Sequence, residues 1–180
     1  GLGDVYKRQL VIGLNNCRSN MEANIYYEQG QRSFYNGEYR EAGKLLREAA
    51  SLGLRDALFF MAQKADELNN RGVLYDKQGN IELANRYYKF AIELMPEDDD
   101  ALLNLARNYE KAGKLQESIS LCLKAIRISP ERYMSYAIIG DVFYYGTDDV
   151  EQAVEWYKKA YKYGDWEIGQ WLINNGYDID

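Results

Sequence analysis

The chain has 180 residues, of which 47% are hydrophobic and 14% aromatic, so it can build a core and does not have the composition of a disordered protein. Its net charge of -6 provides no electrostatic attraction for nucleic acid or anionic lipid, which argues against nucleic-acid binding. The chain has no histidine, so we expect that it is not an enzyme and holds no cofactor or metal. It also has no apolar run near the roughly 20 residues that span a bilayer, so we expect no membrane span.

The first nine residues, GLGDVYKRQ, can be encoded as GGG CTC GGA GAT GTG TAT AAG AGA CAG. That string resembles the transposase adapter used in short-read library preparation. We therefore interpret residues 1–9 as a non-native tail fused to a bacterial gene fragment from an environmental assembly. We expect this tail to be disordered or loosely packed, and a well-packed contact from Val5 or Tyr6 would contradict the interpretation.

Residues 10–22 are interpreted as an N-terminal tail in which Met21 is the candidate true start. The stretch LVIGLNNC places an apolar run before Cys17, as a lipoprotein signal does. However, Asn15 and Asn16 stand where such a signal has small residues. An envelope-associated or lipid-anchored protein, or a further lost segment, therefore remains an alternative.

The rest of the chain repeats with a period of about 34 residues, a length typical of helical solenoids. Pro130 follows Pro96 by one period, and the blocks that end at these two prolines align at the same offset. The aligned pairs are Leu68/Leu102, Gly72/Ala106, Tyr75/Tyr109, Gly79/Gly113, Tyr88/Cys122 and Ala91/Ala125. We therefore interpret the two blocks as copies of one structural unit.

Two further blocks follow the same pattern, so the predicted repeats are 23–53, 54–96, 99–130 and 133–164. Each block holds two amphipathic stretches joined at a turn, which predicts a pair of helices, A and B. Small residues at Gly30, Gly72, Ala106 and Gly140 allow the two helices of a pair to approach closely. One pair cannot bury its apolar face alone, so the pairs are expected to stack.

Two blocks depart from the period. The fourth has one extra residue at the turn YGTDD, and the first precedes the second by one period and eight additional residues. We expect these additional residues to lengthen helix A of the second block, with a short separate helix as the alternative. Phe59, Phe60 and Met61 would then need cover from the first block.

The remaining residues, 165–180, are predicted to form a C-terminal capping helix and tail. Asp165 is a good N-cap for a helix over residues 166–174. We expect Trp166 and Trp171 to lie on the inner face of this helix, where they cover the fourth block. A tryptophan presented to a partner is the alternative.

Two other features are interpreted as structural. The acidic stretches PEDDD (residues 96–100) and TDDVE (residues 147–151) precede helices, where carboxylates cap the helix and complement its dipole. Cys122 lies at a core position and is expected to be buried and inert. Because Cys17 and Cys122 form no CxxC pair, we expect a reducing compartment and a cytoplasmic location.

The repeat resembles the tetratricopeptide repeat (TPR), whose signature is W-x2-L-G-x2-Y, then A-x3-F, then A, then P. LLNLARNY (residues 102–109) and YAIIGDVF (residues 136–143) carry its first part, although the tryptophan is absent from all four blocks. The first and fourth blocks also resemble the Sel1-like repeat, in EAASLGLRDA and AVEWYKKAYKYGD. The resemblance implies an all-α fold, a right-handed α-α superhelix of about four helix pairs and a capping helix. It also implies a protein-interaction scaffold, with a regulatory fragment of a larger protein as an alternative.

In the TPR family the A helices line a concave groove that binds a peptide or partner protein. The matching positions are polar and rich in amides: Asn24, Tyr27, Gln31, Asn69, Asn70, Val73, Asn104, Arg107, Asp141 and Tyr144. Such a set suits hydrogen bonding to a peptide backbone. One TPR sub-class grips a C-terminal carboxylate, but of its five matching positions only Asn70 fits, so we predict no carboxylate clamp. The oligomeric state is left open.

Overall fold

The computed structural model of the chain describes residues 2–179, with side chains described for residue 9 and residues 11–179. Over residues 2–179 the secondary structure is helical and contains no strand. The helices are α1 (Leu2–Tyr35), α2 (Tyr39–Ser51), α3 (Arg55–Lys77), α4 (Ile81–Leu94), α5 (Asp99–Lys111), α6 (Leu115–Ile128), α7 (Tyr133–Asp141), α8 (Val150–Lys162) and α9 (Trp166–Asn174). The predicted pairs are therefore α1/α2, α3/α4, α5/α6 and α7/α8, with α9 as the additional C-terminal helix.

The extra residues of the second block lie in α3, which runs without a break for 23 residues. The prediction of a lengthened helix A is therefore confirmed, and the alternative of a separate helix is wrong. At the other end of the chain, α1 begins at Leu2. The expectation that residues 1–9 are disordered or loosely packed stays a prediction. The side chains of Val5 and Tyr6, which bear on loose packing, lie outside the described residues.

Glycines end the A helices of the first three blocks. Gly37, Gly79 and Gly113 have φ values of 82°, 79° and 73°, a left-handed conformation that ends a helix in a tight turn. The fourth block differs, because a π-helix over Val142–Gly146 follows α7 and Asp148 adopts the positive φ of 58°. Since a π-turn takes up one more residue than an α-turn, this segment accommodates the extra residue of the fourth block.

The chain forms two compact units. The first consists of Gly1–Leu68 and Glu93–Pro96. In it α1 packs against α2, and a side chain at Gly30 would meet Leu46 at 2.8 Å. Gly43 of α2 is equally constrained, because the backbone carbonyl of Leu94 occupies the space that its side chain would need.

An aromatic cluster covers the beginning of α3 in this unit. The ring of Phe60 contacts Tyr27, Phe34 and Tyr35 edge-on, at centroid distances of 6.0, 5.7 and 6.4 Å. Phe60 and Met61 are buried, as predicted, whereas Phe59 is 73% exposed. Neighbouring residues of a helix differ in direction by about 100°, so the three cannot all face the core, and the prediction is wrong for Phe59.

The second unit consists of Asn69–Ile92 and Glu97–Asp180. Its largest core cluster joins α5, α6 and α7 through buried residues that include Leu102, Leu103, Cys122, Ile138 and Ile139. The burial predicted for Cys122 is confirmed. Arg132, just before α7, also ties α7 to the start of α5, because its guanidinium donates to Asp99 at 2.9 Å and to Asp100.

Both acidic stretches cap helices, as predicted. The side chain of Asp98 accepts from the N–H of Ala101 at 3.0 Å, and that of Asp149 accepts from the N–H of Gln152 at 3.1 Å. The carboxylates of Asp98, Asp99 and Asp100 lie within 4.8 Å of one another. Arg132 contacts two of them, Asp99 and Asp100, and offsets part of their negative charge.

The C-terminal helix α9 has the predicted bounds and the predicted cap, since Asp165 accepts from the N–H of Ile168 at 3.1 Å. Trp171 faces inward, with its ring 5.2 Å from that of Tyr157. Trp166 is 74% exposed, so its predicted inner position is wrong. It is the first residue of the helix and lies outside the buried stripe that Gly169 and Leu172 form.

Candidate functional site

The predicted groove residues of the first unit all lie on α1. Asn24 is exposed, and its amide donates to the carbonyl of Asn20 at 2.9 Å. Tyr27 is half-buried against Phe60, and Gln31 is half-buried as well. Asn24 is therefore the most accessible of the three side chains.

In the second unit, two predicted asparagines meet each other. The amide of Asn104 on α5 donates to the side-chain oxygen of Asn69 on α3 at 3.0 Å. Asn69 is only 7% exposed, whereas Asn70 beside it is exposed. The buried amide thus holds Asn104 in position, and Asn70 offers the free polar surface. Val73 packs with the cluster around Tyr88 instead.

Arg107 and Asp141 line cavities on the A-helix side of the second unit. The larger cavity, about 560 Å³, is bounded by Arg107, Tyr133, Met134, Ala137, Gly164, Asp165, Trp166 and Glu167. The smaller, about 300 Å³, is bounded by Arg107, Ala137, Asp141, Tyr145, Tyr157, Asp165, Glu167, Ile168 and Trp171. Since four residues line both, the two cavities adjoin, and together we call them the α5/α7/α9 groove.

Asp141 sits at the end of α7 with its carboxylate partly withdrawn from water. Burial raises the pKa of Asp141, while the hydrogen bond from Tyr157 and the charge of Arg107 lower it, and Asp165 raises it. The Tyr157 hydroxyl donates to Asp141 Oδ1 at 2.8 Å. Burial and the neighbouring Asp141 carboxylate raise the pKa of Tyr157 in turn, so its hydroxyl stays a donor.

Tyr144 serves mainly as a packing residue. Its ring lies 5.3 Å from Trp171 and 4.8 Å from Tyr145, and it is half-buried. Tyr145 is 74% exposed and lines the smaller cavity. Of this aromatic pair, Tyr145 is therefore the one that faces the cavity.

Sequence reasoning missed the contribution of α9 to the groove. Asp165, Glu167, Ile168 and Trp171 line the smaller cavity, yet residues 165–180 were interpreted as a cap, with a tryptophan presented to a partner as the alternative. The signal was available, because extending the repeat period by one more block from Tyr133 reaches Glu167. In the structure α9 packs against α8, as α7 packs against α6.

Known proteins support the repeat assignment. Residues 69–133 match the TPR_16 family model, described as tetratricopeptide repeat. The chain is similar to TPR proteins. The Sel1-like resemblance of the first and fourth blocks stays a prediction. Among the helices of the described residues, none combines the length and the apolar character needed to cross a membrane.

A relative at the sequence level is the photosystem I assembly protein Ycf3 of Synechococcus sp. (strain CC9605), 27% identical over 133 residues, which are 66% of this chain and 73% of the relative. Among solved structures, the first TPR of Spaghetti (RPAP3) bound to HSP90 peptide SRMEEVD superposes with a TM-score of 0.56 at 23% identity. It covers 62% of this chain and 90% of that one.

The TPR protein YrrB, described as having an unusual peptide-binding site, also gives a TM-score of 0.56, at 22% identity, over 84% of this chain and 74% of that one. At these identities the likeness establishes the fold. The chain has the all-α fold of TPR solenoids, as the sequence predicted.

Proposed function

We propose that the chain is a non-catalytic interaction module that binds a segment of a partner protein in the α5/α7/α9 groove. The observation that carries the proposal is the pair of adjoining cavities, which share Arg107, Ala137, Asp165 and Glu167. A groove of two joined pockets suits several side chains of one peptide segment.

Exposed aromatic side chains at the groove support this proposal. Tyr133, Trp166 and Tyr145, which line one or the other cavity, are 40%, 74% and 74% exposed. Large aromatic side chains supply much of the binding energy at protein interfaces, because they bury much area at a small entropic cost. In this proposal Trp166 is a partner contact, which was the alternative considered for it from the sequence.

The predicted groove residues enter the proposal according to their exposure. Asn70, Asn104 and Asp141 provide polar contacts in the second unit, and Asn69 supports Asn104. Arg107 lines both cavities and contributes a positive charge beside Asp141. Asn24, Tyr27 and Gln31 provide a separate polar surface on α1. Val73 packs with the cluster around Tyr88, and Tyr144 packs against Trp171, which lines the smaller cavity. No acidic C-terminal carboxylate is expected as the ligand.

The named relatives favour a role in assembly. Because Ycf3 proteins are photosystem I assembly proteins, we propose that this chain likewise assists the assembly of a protein complex, with one of its subunits as the partner. Cys17 and Cys122 are both free, which is consistent with the cytoplasm as the proposed location. A lipid anchor at Cys17 remains the alternative, which acyl labelling of that thiol would detect.

A displayed library of random 16-residue peptides, selected on the full chain, tests the proposal. We expect binders whose Kd rises about tenfold in Trp166→Ala and Tyr133→Ala, the loss typical of one aromatic contact of about 1.4 kcal/mol. The matched control is Gln116→Ala, an exposed residue of α6 away from the groove. Binders that lose the same affinity in all three variants, or in none, would contradict the proposal.

A further inference from the structure

We infer that the smaller cavity of the α5/α7/α9 groove receives a basic side chain, lysine or arginine, of the bound segment. The inference rests on the proposed function and specifies the chemistry of the partner. It is carried by the smaller cavity, where carboxylates and aromatic rings from α7, α8 and α9 line one open pocket.

Three carboxylates face this cavity: Asp141, Asp165 and Glu167. Asp141 uses Oδ1 to accept from Tyr157, and Asp165 uses Oδ1 to accept from the N–H of Ile168. Over the described residues, neither carboxylate has a hydrogen-bond donor at Oδ2. The fixed side chains thus leave acceptor oxygens available to an ammonium or guanidinium group.

Aromatic rings form the other wall of the cavity. Tyr157 and Trp171 meet with their centroids 5.2 Å apart, and Tyr177 stacks on Trp171 at 5.9 Å. The contacts hold the indole in place before a ligand arrives. An aromatic face attracts a cation through its quadrupole, and it also covers the methylene stem of lysine or arginine.

Asp141 is poorly solvated before the ligand binds. Burial and the nearby Asp165 raise the pKa of this carboxyl, because the hydrogen bond from Tyr157 and the charge of Arg107 only partly offset the loss of water around its charged form. A cation in the cavity would supply that compensation, because opposite charges interact more strongly away from bulk water. An acidic side chain would add a further negative charge to the three present.

Arg107 is the one cation among the residues that line the cavity. Its charge already lowers the pKa of Asp141, so an incoming cation would interact with a carboxylate that Arg107 already stabilises, and Arg107 would also repel that cation. Removing it should therefore strengthen the binding of a basic segment. If the site instead bound acidic segments, removing Arg107 would weaken binding. The two possibilities therefore predict opposite changes in affinity for an Arg107 substitution.

The experiment uses the peptides selected on the full chain. Each is resynthesised with its lysine or arginine residues replaced singly by norleucine, and Kd is measured at 50 mM and 300 mM NaCl. We expect one replacement in each peptide to raise Kd about tenfold at low salt.

Variants of the protein test the same contact from the other side. Glu167→Gln and Asp141→Asn should weaken binding of the parent peptide about three- to tenfold but leave binding of the norleucine peptide unchanged. Arg107→Met should tighten binding of the parent peptide. Glu117→Gln, on α6, is the matched control.

Groove-dependent binders that lack basic residues, or that tolerate norleucine at every position, would overturn this inference and leave the proposed function standing. Weaker binding to Arg107→Met would likewise overturn it. Selection that yields no peptide sensitive to Trp166→Ala or Tyr133→Ala would overturn the proposed function and this inference together. Circular dichroism of each variant confirms that the fold is retained.

Discussion

The ring of Tyr157 on α8 occupies the space that a side chain at Gly140 on α7 would need. The same relationship recurs between Tyr88 and Gly72, where an added Cβ would lie 2.5 Å from the tyrosine ring. In both pairs the A helix has a glycine at the point of contact, and a buried tyrosine ring of the B helix fills the space beside it. A large residue packed against a glycine is therefore a repeated unit of the second block and the fourth.

Gly140→Ala should destabilise the chain by about 2 kcal/mol or more, because the buried ring of Tyr157 must move to admit a methyl group. Gly13→Ala is the matched control, since nothing lies within 4 Å of a Cβ at that helical position. There the better helix propensity of alanine predicts no loss of stability. Urea denaturation of both variants measures the difference, and equal stabilities would show that the pairing is not tight.

The two cysteines should differ sharply in reactivity. Burial raises the pKa of the Cys122 thiol to about 12, and the side chain is fully buried, whereas Cys17 is exposed. Because the thiolate is the reactive form, Ellman's reagent at pH 8 should label one thiol quickly in the native chain and both in urea. Cys17→Ser removes the fast phase. A second fast thiol under native conditions would contradict the buried position of Cys122.

The Asn69–Asn104 pair should be coupled energetically. Asn104→Ala leaves the buried amide of Asn69 without its hydrogen-bond partner, which costs about 1–3 kcal/mol. The double variant Asn69→Ala/Asn104→Ala should lose less than the sum of the single changes, by about 0.5–1.5 kcal/mol. Additive losses in denaturation experiments would mean that the two side chains act independently.

The carboxyl of Asp141 should make stability depend on pH. Its folded pKa is raised above the ordinary 3.8, mainly by burial, so the folded chain binds this proton more tightly than the unfolded chain does. The resulting stabilisation is complete below pH 3.8 and is lost as pH rises through the folded pKa.

Asp141→Asn carries no such proton and can still accept from the Tyr157 hydroxyl. Its stability relative to the parent chain should therefore increase between pH 4 and pH 7. Urea denaturation at several pH values measures this trend, with Asp66→Asn as the baseline for loss of an exposed carboxylate. The opposite trend would show that the Arg107 and Tyr157 contacts outweigh burial.

Most of the fold could be predicted from the sequence, because the helices and turns depend on local patterns that recur in each repeat. The helix pairs, the long α3, the bounds of α9 and the caps at Asp98, Asp149 and Asp165 all follow from such signals. These features depend on spacing, turn chemistry and helix periodicity, which one sequence displays directly.

What the sequence did not provide is the direction of particular side chains. Phe59 and Trp166 are as apolar as their buried neighbours, yet they lie outside the buried stripes of their helices. The sequence showed one extra residue in the fourth block but did not indicate that a π-helix over Val142–Gly146 would accommodate it. For the candidate site, the resemblance to the TPR family indicated Arg107 and Asp141 as groove residues, but the contribution of α9 depends on tertiary packing, which places that helix against α8.

The central claim is that the α5/α7/α9 groove is the binding surface, and nuclear magnetic resonance mapping of a selected peptide on the full, isotope-labelled chain tests it most directly. We predict that the largest shift changes fall on the Trp166 and Trp171 indole N–H groups and on the amides of Ala137, Asp141 and Glu167. The Trp156 indole on α8 and the amides around Gln116 on α6 should change little. Shifts concentrated on α6 and α8, with α7 and α9 unchanged, would contradict the account.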